Sequence, residues 1–139
     1  MLSPSRNVEA INAAVNHPAV RPFVGPADMG ALDLAPLVER PEHLFPFGEH
    51  GGFALIWTAP KTREVHTFIK PEGRGDWAKQ ARAEMLTLAM EHGTARLWTK
   101  IPPDAPHVKA FAVRGGMGAT GETVEMFGKP YTIYSMELN

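Results

Sequence analysis

The stretch EVHTFIKPEGRGDWAKQARAEMLTL, residues 64–88, decides how the chain is read. Val65, Thr67 and Ile69 alternate with Glu64, His66, Phe68 and Lys70, the two-residue period of a strand. Pro71 lacks an amide donor and ends the ladder, while Gly73 and Gly75 permit a sharp turn. Asp76 is the predicted N-cap of a helix. In that helix Ala78, Ala81, Met85, Leu88 and Ala89 recur at three- and four-residue spacing, with Gln80, Glu84, Thr87 and Glu91 opposite. Arg82 falls on the edge of the apolar arc, and Gly93 stops the helix just past His92. A strand that delivers a glycine turn to a helix start aims several backbone N–H groups at one place, which suits an anion.

Working outward, residues 52–58 alternate Phe53, Leu55 and Trp57 with Ala54 and Ile56, as a central strand does. The run APKTR, residues 59–63, turns that strand back as a hairpin into Glu64. Beyond the helix, residues 95–101 read as a strand closed by Pro102 and Pro103. Asp104 then caps a second helix that carries Pro106 in its first turn and turns Val108, Phe111 and Ala112 inward, until Gly115 and Gly116 end it. Residues 117–126 and 131–138 form a last hairpin around Gly128, Lys129 and Pro130.

Upstream the pattern is sparser. Val8, Ile11 and Val15 share a face of a short helix over residues 7–16, stopped by His17 and Pro18. Residues 19–30 read as an extended connection, and residues 32–38 as a short strand that Pro36 pushes to an edge. Residues 40–52, RPEHLFPFGEHGG, form a Pro/Gly-rich loop in which Phe45 and Phe47 either pin the loop to the core or line a pocket.

The 139 residues make a single domain with room for a hydrophobic core. With 14 basic and 15 acidic residues there is no net charge to gather a polyanion, and no basic stripe or stacking pattern points to specific nucleic-acid binding. Cysteine is absent, which removes disulfides and thiolate metal sites. No apolar run reaches membrane-spanning length, and the N-terminus lacks a signal-peptide core, so a cytoplasmic protein is expected. His43 and His50 each follow a glutamate, but their seven-residue separation fits no single helical face, so no metal site is expected.

The wording of residues 64–75, Glu-Val-x-x-Phe-Ile-x-Pro-Glu-x-Arg-Gly, resembles the central motif of the GNAT superfamily of N-acetyltransferases. The segment APHVKAFAVRGGMGATGE looks like that family's last helix and exit, and YTIYSMEL is similar to its closing strand. The likeness covers roughly residues 51–138. It implies an α/β (α+β) fold with a mixed, mostly antiparallel central sheet flanked by helices. Residues 51–139 would be the coenzyme-binding core and residues 1–50 a divergent acceptor-side region.

The resemblance also implies a site. A break in the motif strand would free the main chains of Phe68, Ile69 and Lys70 for the pantetheine and thioester of acetyl-CoA. Arg74, Gly75, Asp76, Trp77, Ala78 and Lys79 would receive the pyrophosphate, with Trp77 either shielding it or stapling the helix to the sheet. Glu64 stands where many members place a carboxylate that takes the proton of the acceptor amine. It reads equally as a solvated charge at a strand start. His66 shares its face. The family often carries a tyrosine four residues before the exit glycine; here that position is Ala112. The implied activity is acetyl transfer from acetyl-CoA to a primary amine on a small molecule or protein. The short chain and its Arg-Gly-x-Trp-Ala wording also look like small phage- and prophage-encoded members. They imply, as the alternative, a catalytically degenerate binding or structural component, with a virion protein or a second copy as partner.

Overall fold

Strand-forming residues with one apolar face, and helices with one apolar stripe, have to cover each other. The computed structural model describes residues 2–138. In chain order the elements are β1 (Ser3–Pro4), α1 (Val8–Val15), α2 (Ala35–Val38), β2 (Pro46–Gly48), β3 (Gly51–Ala59) and β4 (Thr62–Ile69). They continue with α3 (Asp76–Glu91), β5 (Arg96–Ile101), α4 (Pro106–Arg114), β6 (Gly118–Met126) and β7 (Lys129–Glu137). The strands form one seven-stranded sheet in the order β1-β2-β3-β4-β5-β7-β6. All pairings are antiparallel except β4 with β5. That parallel pair needs a crossover, and α3 supplies it.

The alternation read in the sequence sorts side chains onto two faces, each with its own core. Phe53, Leu55, Val65 and Ile69 meet Ala78, Ala81, Met85 and Ala89 of α3, and Val108, Phe111 and Ala112 of α4 pack onto the same cluster. On the other face Ala54 and Phe68 meet Ile11, Ala14 and Val15 of α1, with Phe45 and Phe47. Both phenylalanines therefore pin the loop to the core. Fully burying side chains such as Phe53 and Leu55 contributes about 2–3 kcal/mol each. The alanines of α3 let that helix lie close against the sheet.

Several local expectations need correction. Residues 32–38 are not a strand: Leu34 caps the single helical turn α2, where Pro36 has the backbone angle a helix start requires. Asn12 explains the pinning, since its Oδ1 accepts from the Leu34 amide, and Asn16 accepts from Leu32 in the same way. Residues 19–30 form two 3₁₀ turns, Arg21–Phe23 and Ala27–Met29. Part of the Pro/Gly-rich loop is strand β2, and Leu44 exchanges backbone hydrogen bonds with Leu55. Gly52 permits this crowding, because a Cβ there would sit 2.1 Å from the Pro46 carbonyl oxygen. Asp104 does not cap α4; it accepts from Lys129 at 2.6 Å, and Ala105 is the N-cap.

Candidate active site

The site begins where the parallel pair comes apart. β4 and β5 are in register at Thr62–Glu64 against Arg96–Trp98. One step further the Thr99 hydroxyl donates to the Val65 carbonyl at 3.1 Å, and then the strands diverge. On its other edge β4 stays in unbroken register with β3, from Arg63 opposite Trp57 to Ile69 opposite Gly51. The expected break in the motif strand is therefore absent, and its place is taken by the divergence from β5. Because Val65 turns its carbonyl to β5, the two-residue period turns the main chains of Thr67 and Ile69 into the gap. Phe68 turns its main chain to β3, and the Lys70 amide donates to the His50 carbonyl at 2.9 Å. Thr67 is thus the gap-facing residue that the motif did not single out.

At the end of the gap lies the start of α3. Its N-cap is Gly75, with φ of 91° and ψ of −131°, rather than Asp76, which is the first helical residue and exposed. Only glycine adopts that backbone conformation readily. No side chain caps this terminus, and the first helical bond runs from the Lys79 amide to the Gly75 carbonyl at 3.1 Å. The amides of Asp76, Trp77 and Ala78 therefore have no partner within the helix. Trp77 staples the helix: it packs on the core, and its ring meets His50 edge-on at 5.1 Å. Arg74 lines the gap and reaches the Ala19 carbonyl at 3.4 Å. Lys79, in the first turn of α3, is exposed. Arg82, on the edge of the apolar arc, braces α3 against α4. It donates to the Phe111 carbonyl at 2.8 Å, and its guanidinium carbon lies 4.6 Å from the centre of the Phe111 ring.

On the opposite face of the sheet stands a charged cluster. Glu64 is only 8% exposed. Its Oε2 lies 3.3 Å from Lys100 Nζ and its Oε1 lies 3.5 Å from His66 Nε2. Burial pushes the Glu64 carboxyl up, but the hydrogen bond and charge of His66, with the Lys100 ammonium, outweigh this and hold it below the usual carboxylate value. Glu64 is therefore a paired, buried carboxylate, not a solvated one. His66 and Lys100 line the gap, with Glu64 set behind them.

The gap opens into a cleft of about 320 Å³ that runs from Arg74 and Gly75 past Thr67 and Thr99 to His66 and Lys100. Its far wall is Val20, Phe23 and Val24 from the first 3₁₀ turn. Arg21 fixes that wall by donating to the carbonyls of Val24, Pro26 and Gly30 at 2.6–2.8 Å. Phe23 meets His107 of α4 edge-on at 4.6 Å, closing a roof over the cleft. Ala112 lines the cleft where the resembled family often has a tyrosine. Tyr134 is buried opposite Thr99, and Tyr131 packs on Phe127, so neither supplies a hydroxyl to the lining. Sequence reading missed Lys100 and the Val20–Val24 wall, because both reach the cleft only through long-range packing.

No protein-family model matches the chain, and no curated protein sequence matches it. Solved structures do. A Vibrio cholerae spermidine N-acetyltransferase chimera superposes with a TM-score of 0.72 at 14% identity, covering 99% of this chain and 96% of its own. A Salmonella typhimurium protein solved with its cofactor acetyl-CoA gives 0.70 at 14% identity, covering 100% and 94%. A Chromobacterium violaceum protein assigned to the GNAT family of acetyltransferases gives 0.67 at 20% identity, covering 98% and 86%. With its mostly antiparallel seven-stranded sheet, its single parallel pair and its flanking helices, the chain has the GNAT fold.

Proposed function

We propose that this protein transfers the acetyl group of acetyl-CoA to an amine. The observation that carries the reading is the continuous cleft between the diverging strands, which joins an uncapped helix start to the Glu64–His66 pair. The residues fit the donor in kind. The amides of Asp76, Trp77 and Ala78, with the Arg74 guanidinium, match a pyrophosphate. The Asp76 carboxylate opposes that charge, and Lys79 offsets it. Thr67 and Ile69 offer main-chain hydrogen bonds to the amide-rich arm of the donor, as an added strand would.

The acceptor end supplies the base. Nε2 of His66 faces Glu64, which leaves Nδ1 free to take the amine's proton, while Glu64 stabilises the imidazolium from behind. The amine nitrogen then bonds to the acetyl carbon, the carbon–sulfur bond breaks, and the electron pair leaves on sulfur. A thiol has a pKa of about 8.5, so the departing thiolate takes its proton from water without a side-chain acid. Ala112 is compatible with that route. Such a protein works where acetyl-CoA is made, in the cytoplasm.

Calorimetric titration of acetyl-CoA into the purified protein tests the reading. Binding with a dissociation constant on the order of micromolar is expected, and Arg74→Glu should weaken it by at least about tenfold. A folded sample that takes up no acetyl-CoA would overturn the proposal.

A further inference from the structure

The acceptor half of the cleft bears on which amine it receives, an inference that rests on the acetyl-transfer reading. Its body is apolar, formed by Val20, Phe23, Val24 and Phe68. The titratable side chains at that end are His66, Lys100 and His107, all basic. Among the described residues, no aspartate or glutamate lines the cleft. Glu64 stands behind the lining and already faces both Lys100 and His66.

This arrangement treats two kinds of acceptor differently. A simple amine can give up its one proton on entry. A polyamine keeps further charges after the reacting nitrogen is neutral, and each would be desolvated in this cleft with no carboxylate to meet it. The Arg74 and Arg82 side chains at the other end add repulsion of the same sign.

An acceptor with its own acidic group meets the opposite situation. The Lys100 ammonium has three donors, of which one is aimed at Glu64, and lies 5.5 Å from the centre of the Trp98 ring; its side chain lines the cleft and is 24% exposed. Lys100 and His66 grip the two oxygens of one carboxylate, so both lie within reach of a single small molecule. A carboxylate on the acceptor would take the free donors of Lys100 and leave the neighbouring nitrogen beside His66. The apolar part would then lie on Phe23 and Val20. Phe23 is 53% exposed despite its place in the wall, as a side chain waiting for a covering group would be.

We propose that the acceptor is an α-amino-acid-like amine, with a carboxylate close to the reacting nitrogen and an apolar side chain, held by Lys100 and the Val20–Phe23 wall. The test uses the full chain with acetyl-CoA and three probes: phenylalanine, its decarboxylated counterpart phenethylamine, and spermidine. Thiol release gives kcat/KM, and calorimetry with coenzyme A present gives acceptor binding. Phenylalanine should exceed phenethylamine by at least about tenfold, with spermidine lower still. Lys100→Gln should reduce the gap to within about threefold, and Lys100→Arg should keep it.

Equal or better use of phenethylamine or spermidine would overturn the inference while leaving acetyl transfer intact. So would acetyl-CoA binding with no phenylalanine bound or acetylated. A preference that survives Lys100→Gln would remove Lys100 as its source and overturn the assignment. Failure to bind acetyl-CoA would instead strike the reading beneath it.

Discussion

The two ends of strand β4 do opposite things. At Thr62–Glu64 the strand is bonded on both edges, to β3 and to β5. Arg63, buried there, donates to the carbonyls of Glu42 and His92 at 3.0–3.2 Å and to the Thr94 hydroxyl. From Val65 to Ile69 the β3 ladder continues, but β5 has left. Helix α3 repeats the contrast. Its C-cap His92 has its carbonyl satisfied by a cation, which the helix dipole favours, whereas its N-terminus at Gly75 has no side-chain cap. Hydrogen bonds saturated at one end thus hold open a gap at the other. An anchor that strong is what allows Thr67 and Ile69 to keep unpaired main chains without the sheet closing over them.

Breaking the anchor should have the largest effect. Arg63→Met fills similar space but leaves the carbonyls of Glu42 and His92 and the Thr94 hydroxyl short of a donor, at a cost of about 3 kcal/mol. In a domain of this size that lowers Tm by roughly 10 °C, which a thermal melt by circular dichroism would read. Below the melt, acetyl-CoA binding should weaken as well, because the closed end no longer holds the gap open. A Tm within about 3 °C of the parent would mean the closed end is no anchor.

Glu64 sits at the junction, so its removal should touch both ends. Glu64→Gln leaves Lys100 partly buried without its counter-charge and costs about 2 kcal/mol. The pH dependence gives the sharper reading. The folded carboxyl is held below its ordinary value, so its contribution is complete above the unfolded value of about 4.3 and is lost as pH falls through the folded one. The variant should therefore lose less stability on acidification than the parent, measured as urea midpoints across the acid range. Parallel acid limbs would show that the pairs with Lys100 and His66 add nothing to folding. Activity should fall with it, since His66 loses the group behind it.

How far this contrast could be read from sequence depends on which residues carry it. Elements whose evidence is local were legible: the alternation of residues 64–69, the alanine stripe of α3, the closing hairpin and the short first helix all match the structure. Elements made by distant neighbours were not. β2 exists because β3 offers Gly51 and Gly52 for it to lie against, and the run FPFG alone reads as loop. Pro36 argued for an edge strand, yet its ring suits the first turn of α2 equally well once Asn12 and Asn16 pin the flanking amides. For the site, the motif located the strand and the turn. Which edge of the strand faces the gap is set by where β5 leaves, so the sequence pointed to Phe68, Ile69 and Lys70 and passed over Thr67. Charge partners were hidden for the same reason, since Lys100 reaches Glu64 from another strand.

The smallest effect concerns the open end itself. A Cβ on Gly75 would meet no atom within 4 Å, so Gly75→Ala creates no clash and its cost is the backbone angle alone, about 1 kcal/mol. That cost can be met in two ways. If the turn holds its shape, Tm falls by roughly 3 °C and acetyl-CoA binds as before, because the amides of residues 76–78 stay in place, without helical partners, at the end of the cleft. If the turn relaxes instead, stability is kept and binding weakens. The rigid outcome is expected, since Gly73 is wedged between His50 and Trp77 just upstream and Ala78 is buried just downstream. Measuring both quantities on one variant therefore shows whether the uncapped helix start is fixed by its neighbours, as the closed end is by Arg63, or is shaped by what binds there.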